Sequence, residues 1–413
     1  MIDYKEHQLS NGLRVLVNQD ECSAMAAVSI LYEVGSRDEQ PAHTGFAHLF
    51  EHLMFRGTQA EPDFDGPIQE VCGENNAFTT ADYTNYYITT PKDNFETALY
   101  MEADRMTGLN ITPEVLALEK SVVIEEYNQR FLNRPYGEQW HLLRDMVYQS
   151  APYRWPVIGL TPDHIRNASM EEVRSFYGQF YNPSNAILGI SSALPSERVF
   201  EAVERYFGHL EAGPQLSARS YAVEGAIESP RRRVVEADVP ADQITIAFLM
   251  EERGQRGYYV CDLLTDLLAG GESARIFQRL VKQQRLFSAA NAYITGERGQ
   301  GMLILTGQIS PGVSIEQAEE ALYGELERLV NETVGEYELQ KVQNKFEANI
   351  TFGELNVMNK AMNLCYYRML GDMSLLNGET AIYRSISAQE IADYISSHLS
   401  RQQSATLIYR RKQ

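Results

Sequence analysis

The chain has 413 residues, 44% of them hydrophobic and 22% charged, a composition that excludes collagenous, low-complexity and largely disordered classes. At roughly 150 residues per domain the length predicts two or three domains, each able to bury its own core. With 36 Lys and Arg against 56 Asp and Glu, the formal charge of −20 argues against nucleic acid or an anionic membrane as partner and leaves neutral or cationic peptides as the easier fit.

In chain order, Leu13-Arg-Val-Leu-Val17 and Met25 to Val34 read as strands. A helical pattern follows from about Gly45 to Arg56, with Gly57 as its C-cap. Ala77 to Tyr87, rich in Thr and Tyr, reads as one strand. Asn94 to Thr107 reads as helix, and Thr112-Pro113 starts another that runs to about Arg130, with Thr as N-cap and Pro in the first turn. Strand Asn185 to Ile190 and helix Ser196 to Tyr206 close the first half, and the polar stretch 213–230 reads as a linker.

Beyond it the pattern repeats. Pro91-Lys-Asp-Asn-Phe-Glu lines up with Pro311-Gly-Val-Ser-Ile-Glu at an offset of 220, and Ser169-Met-Glu-Glu-Val with Ser387-Ala-Gln-Glu-Ile at 218. Two matches at nearly one offset predict a duplicated domain, 1–212 and 231–413 flanking the linker. Consecutive strands without intervening helices point to an α+β class.

No run approaches the roughly 18 to 20 apolar residues of a membrane helix. Met1-Ile-Asp-Tyr-Lys-Glu-His lacks the apolar core of a signal peptide, and Cys22, Cys72, Cys261 and Cys365 form no C-x-x-C pair. These features predict a cytoplasmic, reducing location and exclude a Cys-based metal site.

The chemistry concentrates in His48-Leu-Phe-Glu-His52. Eight His in the chain predict about 0.01 chance occurrences of H-x-x-E-H. On a helix, residues four apart share a face, so His48 and His52 can hold one metal ion, and two neutral imidazoles suit Zn²⁺. Glu51 sits at the edge of that face, where a carboxylate outside the ligand set can take a proton from activated water. The third ligand is sought on the helix from Pro113, where Glu119 and Glu126 are two turns apart and share a face while Glu125 points about 100° away. Glu126 is expected as the ligand, with Glu119 orienting an imidazole N–H. The plainer alternative is solvated Glu residues and an ordinary amphipathic His pair.

This pattern, with Glu126 standing 74 residues after His52 inside Glu119-Lys-Ser-Val-Val-Ile-Glu-Glu126, resembles the inverted-motif zinc peptidases of the M16 family, in its short two-domain subfamily. Thr44-Gly-Phe-Ala-His-Leu-Phe-Glu-His-Leu-Met-Phe-Arg-Gly-Thr58, Gly73-Glu-Asn-Asn-Ala-Phe-Thr-Thr-Ala-Asp-Tyr-Thr-Asn-Tyr86 and Tyr153-Arg-Trp-Pro-Val-Ile-Gly159 are similar to further family blocks. The resemblance implies two homologous domains, each a mostly antiparallel sheet packed with helices, the first binding zinc and the second lacking the motif. It also implies a metalloendopeptidase acting on unfolded peptides. Zinc would be held by His48, His52 and Glu126, with Glu51 as general base and Glu119 beside the site. Substrate would lie along the strand at Asn76, Ala77 and Phe78 by strand addition.

Two positions depart from that pattern. Active family members carry an Arg and a Tyr seven apart in the second half. Matching the family's helix to Leu280-Val-Lys-Gln-Gln-Arg-Leu-Phe-Ser288 puts Val281 and Ser288 there; Val donates no hydrogen bond and Ser cannot reach as far as a phenol. The expectation is therefore a dimer, in which a homologous partner subunit, as in the family's heterodimers, supplies the Arg/Tyr pair and this chain alone is weakly active. The alternative function is a non-catalytic scaffold resembling the family members that keep the fold after losing zinc, against which the intact His48, Glu51, His52 and Glu126 set argues.

Overall fold

A computed structural model describes residues 1–214 and 219–412. Eleven strands are described: β1 (Lys5–Gln8), β2 (Arg14–Gln19), β3 (Met25–Tyr32), β4 (Glu74–Thr79), β5 (Thr84–Pro91), β6 (Ala186–Ser192), β7 (Arg231–Ala237), β8 (Gln243–Leu249), β9 (Phe287–Ile294), β10 (Met302–Ile309) and β11 (Ser404–Arg411). They form one six-stranded sheet, ordered β1-β2-β6-β3-β5-β4, and one five-stranded sheet, ordered β7-β11-β8-β10-β9. Both sheets are mixed. In the first, β2 and β6 run parallel and the other pairs antiparallel; in the second, β7 and β11 are the parallel pair. With β1 set aside, the two sheets have the same connectivity, β2 matching β7 and β6 matching β11. The fold is α+β with two domains, each a mixed sheet packed against helices.

Local chemistry repeats with the topology. Ser169 and Ser387 each cap a helix, Met170–Phe180 and Ala388–His398, by accepting the N–H of the third helical residue, Glu172 and Glu390. On the edge strands, the Ala77 N–H donates to Asn76 Oδ1 (2.8 Å) and the Ala292 N–H to Asn291 Oδ1 (2.9 Å), an Asn-Ala pair recurring at an offset of 215.

The compact units are not contiguous halves. One comprises Met1–Asn128, Trp155–Ser220 and Ile350–Asn377, and the other Gln129–Arg154, Tyr221–Asn349 and Gly378–Gln413. The expected boundaries at 212 and 231 therefore do not match these units. Helix Val357–Leu370, from the second half of the sequence, packs on β3 and β6, while helix Gln139–Val147, from the first half, packs on β8 and β11. Each sheet needs apolar layers over its faces, and one of the helices that supply them comes from the other half of the chain. Of the expected linker 213–230, residues 215–218 lie outside the described residues. Arg219 is bound within the first unit, donating to Asp38 Oδ1 (2.7 Å) and Asn185 Oδ1 (2.6 Å).

The single strand expected over Ala77 to Tyr87 is a hairpin. Its turn is made by Thr80, whose Oγ1 accepts from the Asp82 and Tyr83 N–H groups (3.1 and 3.0 Å), a hydroxyl turn without Gly or Pro. Among the described residues, no helix is long and apolar enough to cross a membrane.

The close seat of Val357–Leu370 depends on Gly189 in β6. A Cβ there would lie 2.3 Å from Ala361 O and 2.7 Å from Cys365 Sγ. Gly189→Val should therefore destabilise the first unit by about 1–3 kcal/mol through overpacking, read as a lower urea midpoint. An unchanged midpoint would contradict this contact.

Candidate metal centre

Helix Phe46–Leu53 is short and two-faced. Phe46, Leu49, Phe50 and Leu53 are buried, and Phe50 stacks on Phe176 and Tyr181 with ring centroids 5.3 and 5.1 Å away. This packing sets the rotation of the helix and presents His48 and His52 together on another face, their rings 4.9 Å apart and nearly perpendicular at 79°. The helix ends at Leu53 with Met54 as C-cap, so Gly57, expected at that place, serves a later turn, with φ +72°. There a Cβ would meet Glu61 O at 2.4 Å.

Helix Pro113–Tyr127 begins as its sequence dictates, with Thr112 Oγ1 accepting the Val115 N–H (3.3 Å) and Pro113 in the first turn. One flank is tied down, since Lys120 donates to Arg166 O at 2.9 Å and the Tyr127 hydroxyl to Leu160 O at 3.0 Å. Glu119 and Glu126 thereby meet the His-bearing helix, while Glu125 is exposed.

Glu126 Oε2 lies 3.6 Å from His48 Nε2 and 3.4 Å from His52 Nε2. One donor atom from each of His48, His52 and Glu126 falls within 4.8 Å of the others. Ligands at about 2.0–2.2 Å from a tetrahedral Zn²⁺ stand roughly 3.4 Å apart, so the spacing and the N,N,O donor set fit that ion. His48 is only 8% exposed.

Glu119 is buried and joins His52 to a cation. Its Oε2 is 3.5 Å from His52 Nδ1, and its Oε1 pairs with Arg56. Burial opposes a charge on His52, but the Glu119 and Glu126 carboxylates outweigh it and raise its pKa to about 9. Burial likewise works against ionised Glu119, yet His52 and Arg56 hold its carboxyl below the ordinary Glu value. Glu51 stands outside the three-donor cluster and accepts a hydrogen bond from Thr79 Oγ1 at 2.5 Å.

The structure thus brings together His48, His52, Glu126 and Glu119, with Glu51 preceding His52 on the same helix and bound to Thr79. Asn76, Ala77 and Phe78 lie on β4, which pairs only with β5 and is the edge of its sheet; the same strand ends at Thr79. Because the Ala77 N–H donates to a side chain rather than to β5, it faces the open edge. Val281 lies in the π-helical turn Phe277–Gln283, and Ser288 is exposed on β9, where its hydroxyl donates to Gln308 O (3.4 Å). Sequence reasoning missed Arg56 and Thr79. Arg56 is one further helical step of four beyond His52, and Thr79 belongs to the Asn-Ala-Phe-Thr run, so each had a spacing signal but no local mark of its partner.

Comparison with known proteins gives the chain's family and fold relatives. A family model described as Insulinase (Peptidase family M16) matches residues 14–151, and one described as Peptidase M16 inactive domain matches residues 167–346. The chain is 28% identical over 340 residues to the zinc protease PqqE of Helicobacter pylori, an alignment covering 81% of this chain and 76% of that protein. It is 25% identical over 247 residues to the probable mitochondrial-processing peptidase subunit beta of Arabidopsis thaliana, covering 58% of this chain and 45% of that one. The crystal structure of a protease from Helicobacter pylori superposes with a TM-score of 0.94 at 25% identity, over 99% of this chain and 100% of that chain.

Removing Glu119 leaves His52 without its Nδ1-side partner and Arg56 without its counter-ion. Glu119→Gln should lower zinc affinity about 10- to 100-fold, measured by competition with a chromophoric chelator. Affinity equal to wild type would refute the positioning of His52 by this carboxylate.

Proposed function

The chain belongs to the M16 peptidase family, and on that footing we propose that it is a zinc metalloendopeptidase subunit that hydrolyses peptide bonds in unfolded peptides. The observation that carries this reading is the convergence of His48, His52 and Glu126 to within 4.8 Å, with Glu51 beside them and outside the donor set. His48, His52 and Glu126 hold the ion. When bound, zinc lowers the pKa of water and polarises the scissile carbonyl. Glu51, fixed by the Thr79 hydroxyl, takes the proton of the attacking water and returns it to the departing amine. The open edge of β4 at Asn76, Ala77 and Phe78 aligns an extended substrate through main-chain hydrogen bonds, which ask little of its sequence.

A homologous subunit bringing an Arg and a Tyr completes the site, because Val281 and Ser288 stand where the family's pair falls. Donors of that kind are worth about 10²–10³ in rate, so the chain alone turns over slowly. The four free thiols, with Cys22 and Cys72 exposed, support a reducing, cytoplasmic setting. The scaffold reading draws on the inactive-domain description of residues 167–346, but that match excludes the helix bearing His48, Glu51 and His52.

Glu51→Gln tests the assignment. The variant should bind zinc with unchanged stoichiometry and lose turnover of a fluorogenic peptide by at least about 10²-fold when assayed with the partner subunit. Retained turnover removes Glu51 from the role of base, and a wild-type chain purified without stoichiometric zinc favours the scaffold.

A further inference from the structure

The helix that carries the His pair has no side-chain cap of its own at its N-terminus. Its N-cap is Gly45, in the left-handed region at φ +92° and without a side chain to receive the free N–H groups of the first turn. Only eight residues long, it has little cooperative length to resist fraying. His48 is its third residue, inside the turn at risk.

That end is held from outside. Glu39, only 8% exposed, accepts the Gly45 N–H at Oε2 and the Ala47 N–H at Oε1, both at 2.9 Å. Trp155, 5% exposed, donates its indole N–H to Glu39 Oε2 (3.2 Å) and to Ser36 O (2.9 Å), tying the carboxylate to the loop that precedes the helix. The segment after Trp155 closes on the same point. A Cβ on Gly45 would lie 2.7 Å from Ile158 O, and one on Gly159 would lie 3.0 Å from Thr44 O. The Leu160 N–H donates to Thr44 Oγ1 at 2.8 Å. The Trp155-Pro-Val-Ile-Gly159 run therefore has a physical task, which is to press against the start of the metal-bearing helix.

We propose that Glu39 and Trp155 are positioning residues for the metal centre, clamping the first turn of helix Phe46–Leu53 so that His48 stays in register with His52 and Glu126. This rests on the metal-centre reading above. The carboxylate satisfies two of the N–H groups that the helix leaves open and sits at the positive end of its dipole. The Ala47 N–H belongs to the residue immediately before His48, so the clamp acts one residue from a ligand. Without it the first turn can open while the second turn, which bears His52, remains packed. The two imidazoles then lose their common face, and the chain loses metal affinity before it loses its fold.

The test uses the full chain and three variants, Glu39→Ala, Glu39→Gln and Trp155→Phe. Zinc affinity is measured by chelator competition well below the melting temperature of the metal-free protein, with circular dichroism confirming the folded state. Glu39→Ala should bind zinc about 10- to 100-fold more weakly. Glu39→Gln, which keeps one accepting oxygen and adds an NH₂ that cannot accept, should fall between that and wild type. Trp155→Phe keeps a smaller aromatic ring, drops the indole donor and should weaken binding by a smaller factor. A purely structural role would lower the melting temperature and leave the affinity of the folded fraction unchanged. That result, in Glu39→Ala or, if it does not fold, in Glu39→Gln and Trp155→Phe, overturns the proposal while leaving the metal centre intact. A wild-type chain that binds no zinc overturns both.

Discussion

Two carboxylates held against a half-buried imidazole cannot stand in a low-dielectric pocket without compensating positive charge. Glu119 and Glu126 both approach His52, and Glu119 is almost fully buried. Part of the compensation comes from neighbouring side chains. Arg56 pairs with Glu119, and His52 keeps a proton up to a pKa of about 9. A divalent ion between His48, His52 and Glu126 would take over that role with two charges rather than one. The arrangement would suit a cation, and it depends on two helices holding His48, His52, Glu119 and Glu126 together.

The sheet contributes by ending where the chemistry begins. β4 is an edge strand, so its outer main-chain groups remain available for a peptide, and it terminates at Thr79, which binds Glu51. An unprotected edge ordinarily invites unwanted pairing. On the reading proposed above, the same exposure would serve a hydrolase of extended chains, with main-chain pairing laying the substrate beside Glu51. The helix carrying Glu51 packs on β4 and is held at its other end by Glu39 and Trp155.

What was legible in the sequence was what local geometry determines. His48 and His52 at i and i+4 need only a helix to be neighbours, and Glu119 and Glu126 need only two turns. Thr112-Pro113 marked its helix start because a cap and a missing N–H act within one turn. The hairpin at Thr80–Tyr83 was missed because a hydroxyl rather than Gly or Pro makes the turn, in a run otherwise rich in strand-favouring Thr and Tyr. The exchange of helices Gln139–Val147 and Val357–Leu370 left no local trace, since an amphipathic helix does not state which sheet it covers. Arg56, Thr79, Glu39 and Trp155 belong to the same class. Each is an ordinary residue until the fold brings it to a partner 28 to 119 positions away, as Thr79 meets Glu51 and Trp155 meets Ser36, or to a buried carboxylate.

The second unit shows that shared sheet connectivity does not by itself produce the three-donor cluster of the first. Between β8 and β9, where the first unit places its His-bearing helix between β3 and β4, stands helix Arg256–Ala269. It too carries titratable groups four apart, Asp262 and Asp266. Asp266 pairs directly with Lys345 of helix Glu336–Gly353 at 2.8 Å, and Asp262 accepts the Tyr383 hydroxyl at 2.5 Å. Burial raises the Asp262 pKa to about 6, against the pull of Tyr383 and Arg253. Each carboxylate is therefore answered by a side chain. In the first unit, two imidazoles and a carboxylate from His48, His52 and Glu126 gather within 4.8 Å of one another instead. The two units share their sheet connectivity and differ in the side chains set on it.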